Sequence, residues 1–301
     1  MSKGLTYTAI FEAMSLNYGE GIGNISELKK LTKGGEVYSY GSRQAIRYDI
    51  YRMLKENFSI DSKEDPLTKE QQVVQFKPEA NIKDYVEMDL FGYLKTTKGQ
   101  NSVSRSAVVR ISPAVSLEPM RGDIEFGTNK NFADRAKTDP NPFQFEHHHS
   151  LYSYTLTIDL DRIGKDENDS IGLSLEEKAK RVNHLLEVLK VLNRDIKGRT
   201  ESLNPIFVIG GLYNVKNPFF LNKTTVEYDR EARKYTVDVE MLNSQLDISF
   251  KGELVRDSTY LGYIKGFWLN EDQFSKLSKN VTDINSFFEN LKTKVSEFFE
   301  K

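Results

Sequence analysis

LYSYTLTIDLDRIG, residues 151–164, followed by SIGLSLEEKAKRVNHLLEVLKVLN, residues 170–193, decides the fold. In the first stretch Tyr152, Tyr154, Leu156, Ile158 and Leu160 alternate with polar residues, the period-two pattern of a strand with one buried face. In the second, Val182, Leu185, Leu186, Leu189 and Leu192 recur at helical spacing, and Ser174 with Glu177 forms a capping box. NPIFVIGG, 204–211, then reads as another strand. Upstream, Leu5, Tyr7, Ala9 and Phe11 alternate within a strand predicted over Leu5–Met14, with one apolar face and one mixed face. YSYGSRQAIRYDIYRML, 38–54, reads as a loop, an N-cap at Ser42 and a helix burying Ile46, Ile50, Met53 and Leu54. YVEMDLFGYLK (85–95) and RSAVVRISPAVSLEP (105–119) read as two extended segments, Pro113 arguing against a central sheet position for the second. The order strand, helix, two strands, helix, strand is that of an α+β, ferredoxin-like or RRM-like domain.

Four stretches lie outside that frame. NYGEGIGNISELKKLTKGG (17–35) predicts a long glycine-shaped loop around a short helix near 25–31. Residues 59–86 are polar and weakly patterned, as in a surface insertion. Residues 120–147 carry polar loops, two prolines and spaced aromatics at Phe126, Phe132, Phe143 and Phe145, which predicts a projecting hairpin or a lid. TTVEYDREARKYTVDVEML (224–242) reads as further strands or a hairpin. The tail, 281–301, is an amphipathic helix that packs on its own domain or on a neighbouring subunit.

The 301 residues contain no cysteine, which removes disulfides, thiolate nucleophiles and zinc–thiolate sites and suits a cytoplasmic protein. The N-terminus lacks the pattern of a signal peptide, and no stretch approaches the length of a membrane span. Formal net charge is −2, so any nucleic-acid role must rest on local positive charge. Residues 92–110 meet that condition, with Lys95, Lys98, Arg105 and Arg110 and no acid. On a sheet rim Lys95, Lys98 and Arg105 would bracket a phosphate backbone; as a solvated loop they would do nothing of the kind.

Arg43 and Arg47 share the azimuth of Ile50 and Leu54, so two cations stand where the periodicity of the helix wants a core. Either internal acids pair with them, or they leave the core edge and meet an anionic ligand beside the open N–H groups of the helix end. Arg52, Lys55 and Glu56 fall on the solvated side. Nucleotide fingerprints, nucleophile elbows and zinc helices are absent, and GEGIGN has the wrong glycine spacing for a phosphate cradle. His147 and His149 would share one strand face, which is too few ligands for a zinc site. Asp159 and Asp161 form no separated acid and base.

Taken in order, GN at 23–24, YGSRQAIRYDI at 40–50, DLFGYLK at 89–95, SRSAVVRISPAVSLEP at 104–119, HHSLYSYTLTIDLDRIG at 148–164 and EEKAKRVNHLLEVL at 176–189 are familiar. Together they resemble the backbone subunit of type I CRISPR RNA-guided surveillance complexes, in the DevR-like branch associated with subtype I-B. The resemblance covers at least residues 1–212. It implies an RRM-like palm with an inserted finger or web region and a projecting thumb, here 120–147. It implies a non-catalytic role, with no cofactor or metal. The partners implied are CRISPR guide RNA, target DNA through the guide, further copies of the same chain and other subunits of the complex. Matched by position, Asn24, Ser42, Arg43, Gln44 and Arg47 would hold the guide backbone, with Lys98 and Arg105 as weaker assignments. Met120, Phe143 and Phe145 would stand near a nucleotide displaced by the thumb. Related subunits of type III complexes cut target RNA with an acidic loop residue. Glu20 and Glu27 stand in the first long loop here and no aspartate does, so cleavage is not expected. A metal-dependent target-RNA endonuclease and a purely structural scaffold are the opposing readings.

Overall fold

The computed structural model describes residues 3–19, 21, 23–61, 63–70, 73–96 and 102–300. Its centre is β1 (Gly4–Ala13), whose residues are buried except Glu12. The remaining strands of the main sheet are β2 (Lys30–Lys33), β3 (Glu36–Gly41), β4 (Val109–Ile111), β5 (Ala114–Ser116), β8 (Ser150–Asp159), β9 (Phe207–Tyr213), β10 (Thr259–Tyr263) and β11 (Asn280–Thr282). β6 (Asp123–Thr128) and β7 (Pro142–His147) form a separate hairpin. The helices are α1 (Arg43–Phe58), α2 (Val86–Phe91), α3 (Lys130–Ala136), α4 (Leu175–Lys190), α5 (Val239–Leu246) and α6 (Ile284–Phe299).

The sheet runs β11-β10-β9-β1-β8-β5-β3-β2, with β4 also paired to β8. β1 lies antiparallel to β8 over its whole length, Gly4 opposite Asp159 and Ala13 opposite Ser150, and antiparallel to β9 on its other side. With α1 following β1 and α4 following β8, the last core strand sits beside the first and the third sits on its far side. That is the topology of a βαββαβ unit, so the expected α+β class and strand order stand. Extra strands extend the sheet at both edges.

The alternation of β1 sorts two cores. Leu5, Tyr7, Ala9 and Phe11 meet Ile46, Ile50 and Leu54 of α1, Leu185 and Leu189 of α4, and Phe287, Phe288 and Leu291 of α6. Ile10 faces the other way, onto Phe207, Ile209, Leu242 and Trp268. Thr6 and Thr8 stand on that second face too. Thr8 and Thr155 share a hydroxyl hydrogen bond of 2.7 Å and Thr6 donates to Thr157 at 3.2 Å, so burial leaves these groups satisfied. The tail helix therefore covers its own domain. Among the described residues no helix is long and apolar enough to cross a membrane.

Two expectations are corrected. No helix forms near 25–31: Ile25–Ser26 pairs parallel with Gln144–Phe145, and Lys30–Lys33 pairs with β3. Gly34 and Gly35, at φ of 60° and 86°, close that hairpin in a two-residue turn that β-carbons disfavour. The strand expected in 85–95 is half right: Val86–Phe91 is helical, and only Tyr93–Lys95 is extended. Both oxygens of the Asp61 carboxylate accept the first-turn N–H groups, Val86 at 2.7 Å and Glu87 at 3.1 Å, a cap far upstream in the chain. Pro113 falls in the break between β4 and β5, where its missing N–H costs no ladder bond. Residues 226–237 form a hairpin, Val226–Asp229 against Lys234–Val237.

Candidate nucleic-acid interface

The start of α1 is built as the sequence suggests. Ser42 Oγ accepts from Ala45 N at 3.2 Å, and Ser42 N donates to Asn17 Oδ1 at 3.0 Å, which ties the helix end to the first loop. The first turn contains no acid. Arg43 and Gln44 are exposed, and Arg43 has no ion pair among the described residues. An uncompensated guanidinium thus stands at the positive end of a helix, an arrangement that favours an anion.

Arg47 is arranged differently. Its Nη2 lies 2.7 Å from Glu87 Oε1, and its guanidinium sits 5.0 Å from the Phe91 ring centroid. Burial pushes the Glu87 carboxyl up, and Arg47 opposes the shift. Of the two readings open for the arginine pair, the internal acid holds for Arg47 and the free cation for Arg43. Arg52, expected on the solvated side, is also engaged, donating to Asn193 Oδ1 at 2.6 Å and to Glu56 at 2.9 Å.

Two cations of the basic stretch, Lys95 and Arg105, are buried. Arg105 is 7% exposed and donates to Asp89 Oδ1 at 2.8 Å and to the Arg162 carbonyl at 2.9 Å. Asp89, fully buried, also accepts from Arg181 at 3.0 Å and from Gly164 N at 3.0 Å. Lys95 is buried against Asp169 at 2.8 Å and the Ala80 carbonyl at 3.1 Å. Lys98 lies outside the described residues. The segment has no acid of its own, yet carboxylates from α2 and the 164–170 loop neutralise Arg105 and Lys95, while Arg110 stays exposed and, among the described residues, donates only to the Ala107 carbonyl at 3.3 Å. The placement of Arg105 on a surface track is therefore corrected.

The loop and the hairpin meet near Asn24. Asn24 is exposed, and its carbonyl accepts from Gln144 N at 2.9 Å. Phe145 packs 6.1 Å from Tyr18 and 5.0 Å from Phe143. Phe143 fills the space over Gly127, where a Cβ would lie 2.4 Å from its ring. Met120 is half-buried at the hairpin base, its N–H donating to the Val37 carbonyl at 2.6 Å. The apolar side chains the hairpin leaves in solvent are others: Ile124 at 61%, Phe126 at 63% and, on α3, Phe132 at 67% exposure.

Among the elements the sequence reading missed, a short hairpin of Asn193–Ile196 against Arg199–Ser202 lies beside α1. Arg194 donates to Asp49 at 2.6 Å and to the Ala45 carbonyl at 3.4 Å. At the turn, Lys197 Nζ lies 4.6 Å from the Phe145 ring centroid, 5.2 Å from that of Tyr18 and 3.3 Å from Ser26 Oγ. The Lys-Gly pair between two short polar runs is the only local signal of this turn.

The histidines are structural links. His147 joins Ser15 Oγ at 2.6 Å to Glu125 at 2.7 Å, and His149 lies 3.1 Å from Glu12. His148 is buried against Ser39 Oγ at 2.7 Å, and burial pushes its pKa down. Asp159 and Asp161 share Lys216, at 2.6 and 3.6 Å. Among the described residues no group of three or more metal-ligating side chains forms.

Two solved structures share the fold along nearly the whole chain. A subunit of a "CRISPR RNA-guided surveillance complex, pre-nicking" aligns with a TM-score of 0.61 at 13% identity, covering 98% of this chain and 99% of that one. A subunit of a "CRISPR RNA-guided surveillance complex" aligns with a TM-score of 0.58 at 14% identity, covering 97% and 99%. The CRISPR-associated protein Cas7/Cst2/DevR of Myxococcus xanthus (strain DK1622) is 28% identical over 158 residues, 47% of this chain and 52% of that protein. The chain thus spans about half the length of this curated relative. Residues 5–233, from the first core strand to beyond the last, match the family described as "CRISPR-associated negative auto-regulator DevR/Csa2", and the chain belongs to that family.

Proposed function

We propose that the chain is a repeating backbone subunit of an RNA-guided surveillance complex, binding guide RNA without regard to sequence and presenting it for pairing with target DNA. The observation that carries this reading is the exposed Arg43 on an acid-free, open helix N-terminus tied to the Asn17–Asn24 loop. Such a site grips phosphate by charge and backbone N–H groups, contacts that carry no base information. On this reading Ser42, Gln44 and Asn24 line it. Base pairing then supplies recognition, and holding the strand in advance lowers the entropy lost on pairing. Family membership and the names of its relatives support the same reading.

On this reading the main sheet with α1 and α4 is the palm, the 59–86 region is the finger insertion and the 120–147 hairpin is the thumb. Copies of the chain stack along the RNA, and the exposed Phe126 and Phe132 of the thumb meet the next copy. The role is positional and breaks no bond. Arg43→Glu should abolish RNA co-purification while circular dichroism stays unchanged. Retention of RNA at the level of the unaltered protein would exclude the groove, and a native particle free of RNA would make the chain a protein scaffold alone.

A further inference from the structure

We infer that Lys197 is a phosphate-binding residue, its ammonium gripping a phosphodiester of the strand that passes the start of α1. The inference rests on the RNA-binding reading above and extends it to the 193–202 hairpin, which none of the quoted stretches that carry the resemblance includes.

The turn Ile196-Lys197-Gly198-Arg199 has φ of 49° at Lys197 and 79° at Gly198. Two-residue hairpin turns of this kind favour Asn or Asp before glycine, residues that tolerate the left-handed region. Here that position carries a long cationic side chain instead. Its ammonium is held in place by two rings and one hydroxyl, the Phe145 and Tyr18 faces and Ser26 Oγ. None of these partners is charged, so they orient the cation without neutralising it. Other cations of the same hairpin are neutralised: Arg194 pairs with Asp49 at 2.6 Å and Arg199 with Glu201 at 3.1 Å. Lys197 is exposed and has no ion pair among the described residues. The hairpin thus presents one free positive charge, at its tip.

The tip also lies on the edge formed by the first loop and the start of α1, the rim of the proposed site. Ser26 follows Asn24 by two residues, and Tyr18 follows Asn17, whose side chain accepts from Ser42 N. Arg194 fastens the other end of the hairpin to the first turn of α1 through the Ala45 carbonyl. Loop, helix start and hairpin tip are therefore joined by direct contacts along one edge. An ammonium is a point charge with rotatable donors, suited to a phosphodiester in any orientation and carrying no base preference. Because Lys197 covers the faces of Tyr18 and Phe145, this part of the rim acts by charge and not by base stacking.

The test uses the full chain and a fluorescein-labelled single-stranded RNA of mixed sequence, titrated over a series of potassium chloride concentrations. Lys197→Met keeps the aliphatic stem on the rings and removes the charge; Lys197→Arg keeps the charge. Lys197→Met should weaken binding about tenfold at low salt. It should also reduce the slope of log affinity against log salt by about 0.7, the value for one phosphate of a single strand. Lys197→Arg should restore both. Unaltered affinity and slope in Lys197→Met, with Arg43→Glu still impaired, would overturn the role of Lys197 and leave the groove standing. Equal loss in the Met and Arg variants with a lowered melting temperature would also overturn it, by making the residue a packing element. Failure of the unaltered chain to bind the RNA, or Arg43→Glu and Lys197→Met both binding as tightly as the unaltered chain, would overturn both readings.

Discussion

Arg47 and Glu87 form an ion pair of 2.7 Å that joins α1 to α2, while Arg43, one turn earlier on the same helix face, is unpaired among the described residues. The two arginines therefore have separable effects. Arg47→Ala should cost on the order of 1 kcal/mol, because the pair is partly exposed and its guanidinium also covers Phe91. Arg43→Ala should leave stability within about 0.5 kcal/mol. Urea denaturation read by circular dichroism distinguishes them. Equal destabilisation by both substitutions would mean that Arg43 has a structural partner after all.

Asp89 neutralises two buried guanidiniums, Arg105 and Arg181, and receives Gly164 N–H. Asp89→Ala should destabilise by about 3–5 kcal/mol, since Arg105 stays buried without a carboxylate and Arg181 keeps only Glu177, at 3.0 Å. Chemical denaturation midpoints measure this. Because Arg105 is packed here, Arg105→Met should lower stability without altering the salt dependence of RNA binding; a changed salt slope would return Arg105 to the groove.

Burial lowers the pKa of His148 and of His184. The unfolded chain then binds more protons than the folded one once pH falls below about 6.5, so stability is lost as pH falls from there toward the lower folded pKa values. Melting temperatures at pH 7.5 and 5.5 should differ in that direction. His148→Asn should reduce the difference. An acid loss unchanged by that substitution would assign it to other groups.

Phe126 and Phe132 are exposed on the hairpin and its tip helix. Phe126→Ser with Phe132→Ser should leave monomer stability within about 0.5 kcal/mol. On a long RNA the double variant should form shorter assemblies, a difference sedimentation velocity resolves. Assemblies of undiminished size would remove this hairpin from the contact between copies.

Much of the fold was legible because it rests on local periods. β1, β8 and β9 show period two, α1, α4 and α6 show helical stripes, and the Ser42 and Ser174 caps lie at the helix starts they serve. The hairpin within 120–147 was legible from its polarity and prolines. α2 was not, since its cap comes from Asp61 and its buried Asp89 looks like a solvent position. In the candidate site, Gln44 follows only from the resemblance, while Ser42 and Arg43 could be named from the helix start. Lys197 could not, because its setting is made by rings from two other parts of the chain.

What the amino-acid order by itself determined was the type and sequence of the core elements, and with them the βαββαβ arrangement. Hydrophobic period and capping act over a few residues, and such short-range preferences survive translation into three dimensions. Which cations remain free was decided only by the tertiary structure. Charge is neutralised through space, so Asp89, Asp169 and Glu87 silence Arg105, Lys95 and Arg47 from distant positions, while Arg43 and Lys197 keep their charge in solvent.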